Sequence, residues 1–250
     1  MDGAGAKIFE LLVGLAAVAA GAIASVAGFG IGSTLTPLVA IRYGMKLAVV
    51  LVAIPHFAAT LLRAWRLRHE VDRTVLLRFG IASAAGGLIG ASLHNRIESR
   101  ILAMVFGCLL VLAGIAGLTR LLERVHLGRM AAWTAGILSG GLGGLVGVQG
   151  GLRAAAMMAF DIRKEAFVAT GTAIALVVDT VRLPVYLTME GREVVLHEWP
   201  AVAIATAGTL IGTLAGERVL RRIPERVFRT VVSLLILGLG VAVLGGVGGS

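Results

Sequence analysis

The stretch AGFGIGSTLTPLVA, residues 27–40, decides how this chain is read, because it returns in altered form as GLVGVQGGL at residues 144–152. In the first copy Ala27-Gly28-Phe29-Gly30 is followed by Ile31-Gly32-Ser33-Thr34-Leu35. In the second, Gly144-Leu145-Val146-Gly147 is followed by Val148-Gln149-Gly150-Gly151-Leu152. Each copy separates a long apolar run from one of only about ten residues, which at 1.5 Å per residue covers ~15 Å, half of a bilayer's hydrocarbon. Glycine-interrupted, half-length segments at corresponding places in two halves are the sequence pointer to a transporter's binding site.

The surrounding chain is apolar enough to place these breaks in a membrane. Hydrophobic residues make up 58% and charged residues 15%, with a mean hydropathy of +0.94; a soluble domain carries roughly 25% charged residues. Runs near the ~20 residues a span needs lie at roughly 8–28, 46–64, 77–93, 100–118, 130–148, 165–187, 198–216 and 227–245, with short segments at 33–42 and 151–160. The N-terminal stretch carries Asp2 and Glu10, and its apolar run outlasts a signal peptide's core, so it reads as a retained first span. Glycine is abundant (35 residues), which allows close helix approach in lipid. The expected fold is all-α: a polytopic transmembrane helix bundle with broken or half-length helices.

Two further matches recur in the same order. Gly86-Gly87-Leu88-Ile89-Gly90 aligns with Gly208-Thr209-Leu210-Ile211-Gly212, and Arg96-Ile97-Glu98-Ser99-Arg100 with Arg222-Ile223-Pro224-Glu225-Arg226. The chain thus divides into a first transmembrane repeat at 1–122, a linker at 123–129 and a second repeat at 130–250. Arginines cluster in the first of two loops in one half (Arg63, Arg66, Arg68, Arg73, Arg78). In the other half they cluster in the second loop (Arg218, Arg221, Arg222, Arg226, Arg229). Since basic loops stay inside, equivalent loops face opposite sides, the pattern of two inverted structural repeats. Ten crossings satisfy this better than eight.

The net charge of +9 follows from these loop clusters, so nucleic acid is not the expected partner; the lipid bilayer is. No G-x-S-x-G, H-E-x-x-H, C-x-x-C or Walker loop occurs, and enzymatic activity, a metal or a cofactor is not expected. The lone Cys108 reads as a buried small hydrophobe.

Chemistry is expected at the breaks. Helices restarting near Ser33 and Gly151 would aim free amides and positive dipole ends at an anion. Gly30, Gly32, Ser33, Thr34, Gln149, Gly150 and Gly151 are the candidate substrate-binding residues there, joined by Arg153 and Arg182, whose guanidinium forks suit an oxyanion. Asp179 lies three residues before Arg182 and is expected to tune its charge. His56 is the candidate for coupling to protons. Arg63 falls near the position equivalent to Arg182 but reads first as a member of the loop cluster. Thr170 and Thr172 suit either substrate or their own helix.

At these residues the chain resembles the TauE/SafE sulfite exporter family of bacterial and archaeal membrane proteins. The resemblance rests on AGFGIGSTLTPLVAIRYGMKLAVV, GLVGVQGGLRAAAMM, FVATGTAIALVVDTVRLPVYL and the Arg-Ile-Pro-Glu-Arg turn, and covers nearly the whole chain. The family's triple glycine is altered at both breaks, and Ala154-Ala155 replaces its second proline step. The resemblance implies a multi-pass protein of the cell (inner) membrane that exports sulfite, sulfonates or related small anions on an ion gradient. A passive anion channel or pore and a membrane subunit of a larger transport complex are the other readings the sequence leaves open, and it leaves open a homo-oligomer as well.

Overall fold

A computed structural model describes residues 3–119, 129–148, 150–157, 160, 163–188, 191–220 and 224–246. Most of the linker, and Gln149, lie outside the described residues. The first half holds α1 (Gly3–Ala27), α2 (Ile31–Leu67), a 3-10 turn (Arg68–Glu70), α3 (Arg73–His94) and α4 (Ser99–Thr119). The second holds α5 (Arg129–Val146), α6 (Gly150–Met157), α7 (Lys164–Thr188), α8 (Gly191–His197), α9 (Trp199–Leu220) and α10 (Glu225–Leu244). No strand occurs among the described residues, and the expected all-α bundle is what forms.

The helices are built for lipid. On α1, Val13, Ala17, Ala20 and Ala24 recur at helical spacing and are buried, while Ile8, Leu11 and Leu15 point outward. Small residues thus face the bundle and large ones the acyl chains, because in lipid helices gain from close packing rather than from hiding hydrocarbon. Cys108 follows the same logic: it is exposed on α4 rather than buried, since an apolar side chain loses nothing by facing lipid. Six described helices are long and apolar enough to cross a membrane, and two shorter apolar ones, Trp133–Val146 and Thr230–Leu244, coincide with the remaining long runs of the sequence.

Each half leans on the other. The first helix α1 packs along α9, and α5, the first of the second half, packs along α3. In both interfaces glycine meets facing backbone: Gly140 lies against Ser83, Gly144 against Gly87, Gly212 against Val18 and Gly216 against Ala22. A methyl group at any of these would collide with the opposite helix. Helices α4 and α10 pair through Gly107 on Leu244 and Gly114 on Leu237.

Helix α2 joins the short segment 33–42 to the long run after it. Between them Gly44 sits at φ 72°, ψ 163°, outside helical geometry and closed to residues with a Cβ, and this kink divides α2 into two limbs. The first limb, residues 31–43, is about 20 Å long at 1.5 Å per residue, and its counterpart α6 spans only eight residues, about 12 Å.

Candidate functional site

Both long helices that precede a break end alike. At the end of α1, Gly28 has φ 78° and its N–H donates to Ala24 O at 3.0 Å; at the end of α5, Gly147 has φ 77° and donates to Gly143 O at 3.0 Å. A glycine in the left-handed region just past the last turn is the usual way to stop a helix. The chain then restarts as α2 and α6, whose first amides lack a carbonyl one turn earlier and carry the positive end of the helix dipole. The two breaks touch. A Cβ on Gly32 would stand 2.5 Å from Gly147 O, and Phe29 lies against Gly150.

Two buried arginines hold these ends. Arg63 Nη1 donates to Ala24 O at 2.5 Å, and Arg182 Nη1 donates to Gly143 O at 2.6 Å, so each guanidinium grips the carbonyl that its terminating glycine also uses. Their remaining partners differ. Arg182 Nε donates to Asp179 Oδ1 at 2.9 Å, whereas Arg63 Nη2 has only the hydroxyl of Thr60 at 3.3 Å. Tyr186 completes the α5 end by donating its hydroxyl to Gly144 O.

Asp179 is the hub of the polar interior. Besides Arg182 it binds His56 Nδ1 through Oδ2 at 2.6 Å, across 123 residues of sequence. An ionised carboxylate only accepts, so Nδ1 is the donor and Nε2 is left for exchange with another group. Arg63, Arg153, Arg182 and Asp179 are 5%, 5%, 2% and 1% exposed, so three guanidiniums share the interior with a single carboxylate among the described residues. Arg63 Nε and Arg153 Nη1 are buried without a hydrogen-bond partner, as is the hydroxyl of Thr34.

A cavity opens where the breaks meet. Its walls are Gly28, Phe29, Gly30, Gly32 and Ser33 from the first break, Gly147, Val148 and Gly150 from the second, and the side chains of His56, Arg63 and Arg153, closed by apolar Leu110, Ala113, Ala175 and Ile236. Its volume of ≈ 30 Å³ suits a few water-sized groups, at roughly 10–15 Å³ each. No carboxylate is among the described residues that line it. The site therefore offers donors and positive charge in a small space.

Of the residues singled out in the sequence, Gly30, Gly32, Ser33, Gly150, Arg153 and His56 line this cavity. Ser33 turns its hydroxyl back to Gly30 O at 3.1 Å, and Gly151 is the second residue of α6. Arg182 and Asp179 form the expected ion pair but stand behind the lining, where they brace the end of α5. Thr170 accepts the Asp72 N–H at 2.9 Å and Thr172 donates to its own helix at Val168 O, so neither reaches the cavity. Arg63 carries more than its place in the loop cluster suggests. Its near-equivalence to Arg182 is the one sequence signal that sets it apart from its exposed neighbours Arg66 and Arg68.

Comparison with known families accords with this architecture. A family model described as Sulfite exporter TauE/SafE matches residues 13–243, which takes in both breaks, both arginine-held helix ends and the cavity between them. No curated protein and no solved structure gives a match. With nearly its whole length matched, this multi-pass helical membrane protein belongs to the TauE/SafE sulfite exporter family.

Proposed function

We propose that the chain is a secondary transporter, working as an exporter in the cell (inner) membrane, for small anions such as sulfite, sulfonates and related sulfur oxyanions. The observation that carries this reading is the charge imbalance at the cavity: Arg63 and Arg153 face a space without a carboxylate among its described lining, while Asp179 is already committed to Arg182 and His56. An unpaired charge at membrane depth is costly, by about 2.5–3.5 kcal/mol even on the mildest scale, and an entering oxyanion relieves two such charges at once. Arg153 and Arg63 would take oxygen atoms in their planar forks, with the restarting amides of α2 and α6 completing the shell.

Inverted halves would supply alternating access. The exchange of partners between α1–α9 and α5–α3, and the shared capping of the two breaks, support that reading. The domain limits 1–122 and 130–250 would be the moving units, with Gly44 as a bend within the first. His56 would couple the cycle to protons, since Nδ1 is pinned to Asp179 and Nε2 is left to load and unload.

The test is uptake of labelled sulfite into proteoliposomes. Saturation, acceleration by an imposed pH gradient and loss in Arg153→Gln are the expected results. Linear, gradient-indifferent flux at all concentrations would mean a passive pore instead.

A further inference from the structure

A second cavity lies beside the first, and Arg63 belongs to the walls of both. It is larger, ≈ 100 Å³, and its walls include Ala24, Ser25, Arg63, Arg66, Thr172 and Thr213. The exposed end of α2 carries Arg66, and Arg68 and Arg73 follow in the 3-10 turn and at the start of α3, with Glu70 and Asp72 between them. Among the described residues lining it there are two guanidiniums and no acid. The Ser25, Thr172 and Thr213 hydroxyls donate to Ala22 O, Val168 O and Gly21 O, so the unpartnered donor in this lining belongs to Arg63. Arg63 is 5% exposed and its Nε has no partner, although its other nitrogens hold Ala24 O and Thr60.

We infer that this second cavity is a separate small-oxyanion station, a vestibule on the basic end of the bundle, and that Arg63 is the shared guanidinium through which an anion passes between it and the cavity at the breaks. A guanidinium that keeps N–H donors beyond its bonds to Ala24 O and Thr60, in a wall common to both spaces, can contact an anion on either side without leaving its grip on α1. The inference rests on the reading of the first cavity as an anion site only for the direction of passage. The vestibule's own selectivity follows from its lining.

The test uses the full chain with Cys108→Ser and Ser25→Cys, reacted with two methanethiosulfonates of similar size, one bearing a sulfonate and one a trimethylammonium. Corrected for their rates with a free thiol, the anionic reagent is expected to react about tenfold faster, the lower end of what a charged cleft achieves. Arg63→Gln and Arg66→Gln should each shrink that ratio, and sulfite should slow the reaction. Equal rates, a cationic preference, or no reaction with either reagent overturns the proposal. Arg153→Gln separates the two sites. If sulfite still protects the introduced thiol while uptake is lost, the vestibule stands as an independent station. Protection lost together with uptake overturns it and leaves the first site standing. Uptake that survives Arg153→Gln with the reagent preference intact sinks the reading of the first site and supports the vestibule.

Discussion

Arg63 and Arg182 perform the same act in the two halves: each reaches 39 residues back along the chain and donates Nη1 to the carbonyl at the end of the helix before a break, at 2.5 and 2.6 Å. A shift of 119 residues carries Arg63 onto Arg182 and also carries Gly28 onto Gly147 and Thr60 onto Asp179. The pair differs in one respect that matters for charge. The residue three positions earlier is a hydroxyl for Arg63 and a carboxylate for Arg182, so only the second arginine is neutralised where it sits. The same shift sets Thr34 against Arg153, and both have buried polar atoms without a partner.

Removing the hub should be costly. Asp179→Asn leaves Arg182 buried beside a neutral amide whose single acceptor oxygen cannot serve both Arg182 and His56, and breaking a buried pair from one side typically costs about 3–5 kcal/mol. The expected outcome is a large fall in the melting temperature of the detergent-purified protein. A melting temperature close to that of wild type would show that the triad does not hold the fold.

Arg153 should behave in the opposite way. Its Nη1 has no partner in the absence of an anion, so Arg153→Gln removes a buried charge that is not fully hydrogen-bonded. The variant is expected to match or exceed the thermal stability of the ligand-free wild type by about 1 kcal/mol, while losing transport. Marked destabilisation would place Arg153 in the framework instead.

The contact between the breaks admits no side chain. Gly32→Ala puts a methyl group 2.5 Å from Gly147 O, closer than real Cβ contacts come, so α2 must shift away from α5. Transport should fall by more than tenfold while the protein still elutes from a sizing column as the wild type does. Gly147→Ala adds the backbone cost of φ 77°, about 1–2 kcal/mol, and should also lower the melting temperature.

His56→Gln keeps a donor for Asp179 but cannot titrate. Sulfite uptake down its own gradient is expected to persist, and its response to an imposed pH gradient to vanish. An unchanged pH response assigns the coupling to another group.

The breaks are legible in the sequence because clustered glycine interrupts apolar runs that are otherwise continuous, and the eight long runs correspond to observed helices. The register between halves is not. Matching the two glycine-rich stretches by sequence sets Gly30 against Gly147, whereas the backbone makes Gly28 the counterpart. A string of glycines aligns in several ways, and only the positive φ identifies which one stops the helix. The division of α2 is legible too: Gly44, at a positive φ, falls between the segments 33–42 and 46–64 that the sequence separates, although nothing local marks it as the residue that turns. Arg63 stands at the head of an arginine cluster, and composition cannot tell which face of α2 turns inward. The His56–Asp179 bond joins residues 123 apart, so no local pattern announces it.

Calorimetric binding of sulfite to the purified full chain tests most directly whether a dehydrated oxyanion sits between the breaks. The account predicts saturable binding to wild type that weakens by at least tenfold, about 1.4 kcal/mol, in both Arg153→Gln and Arg63→Gln. Binding of undiminished affinity in both variants would contradict it.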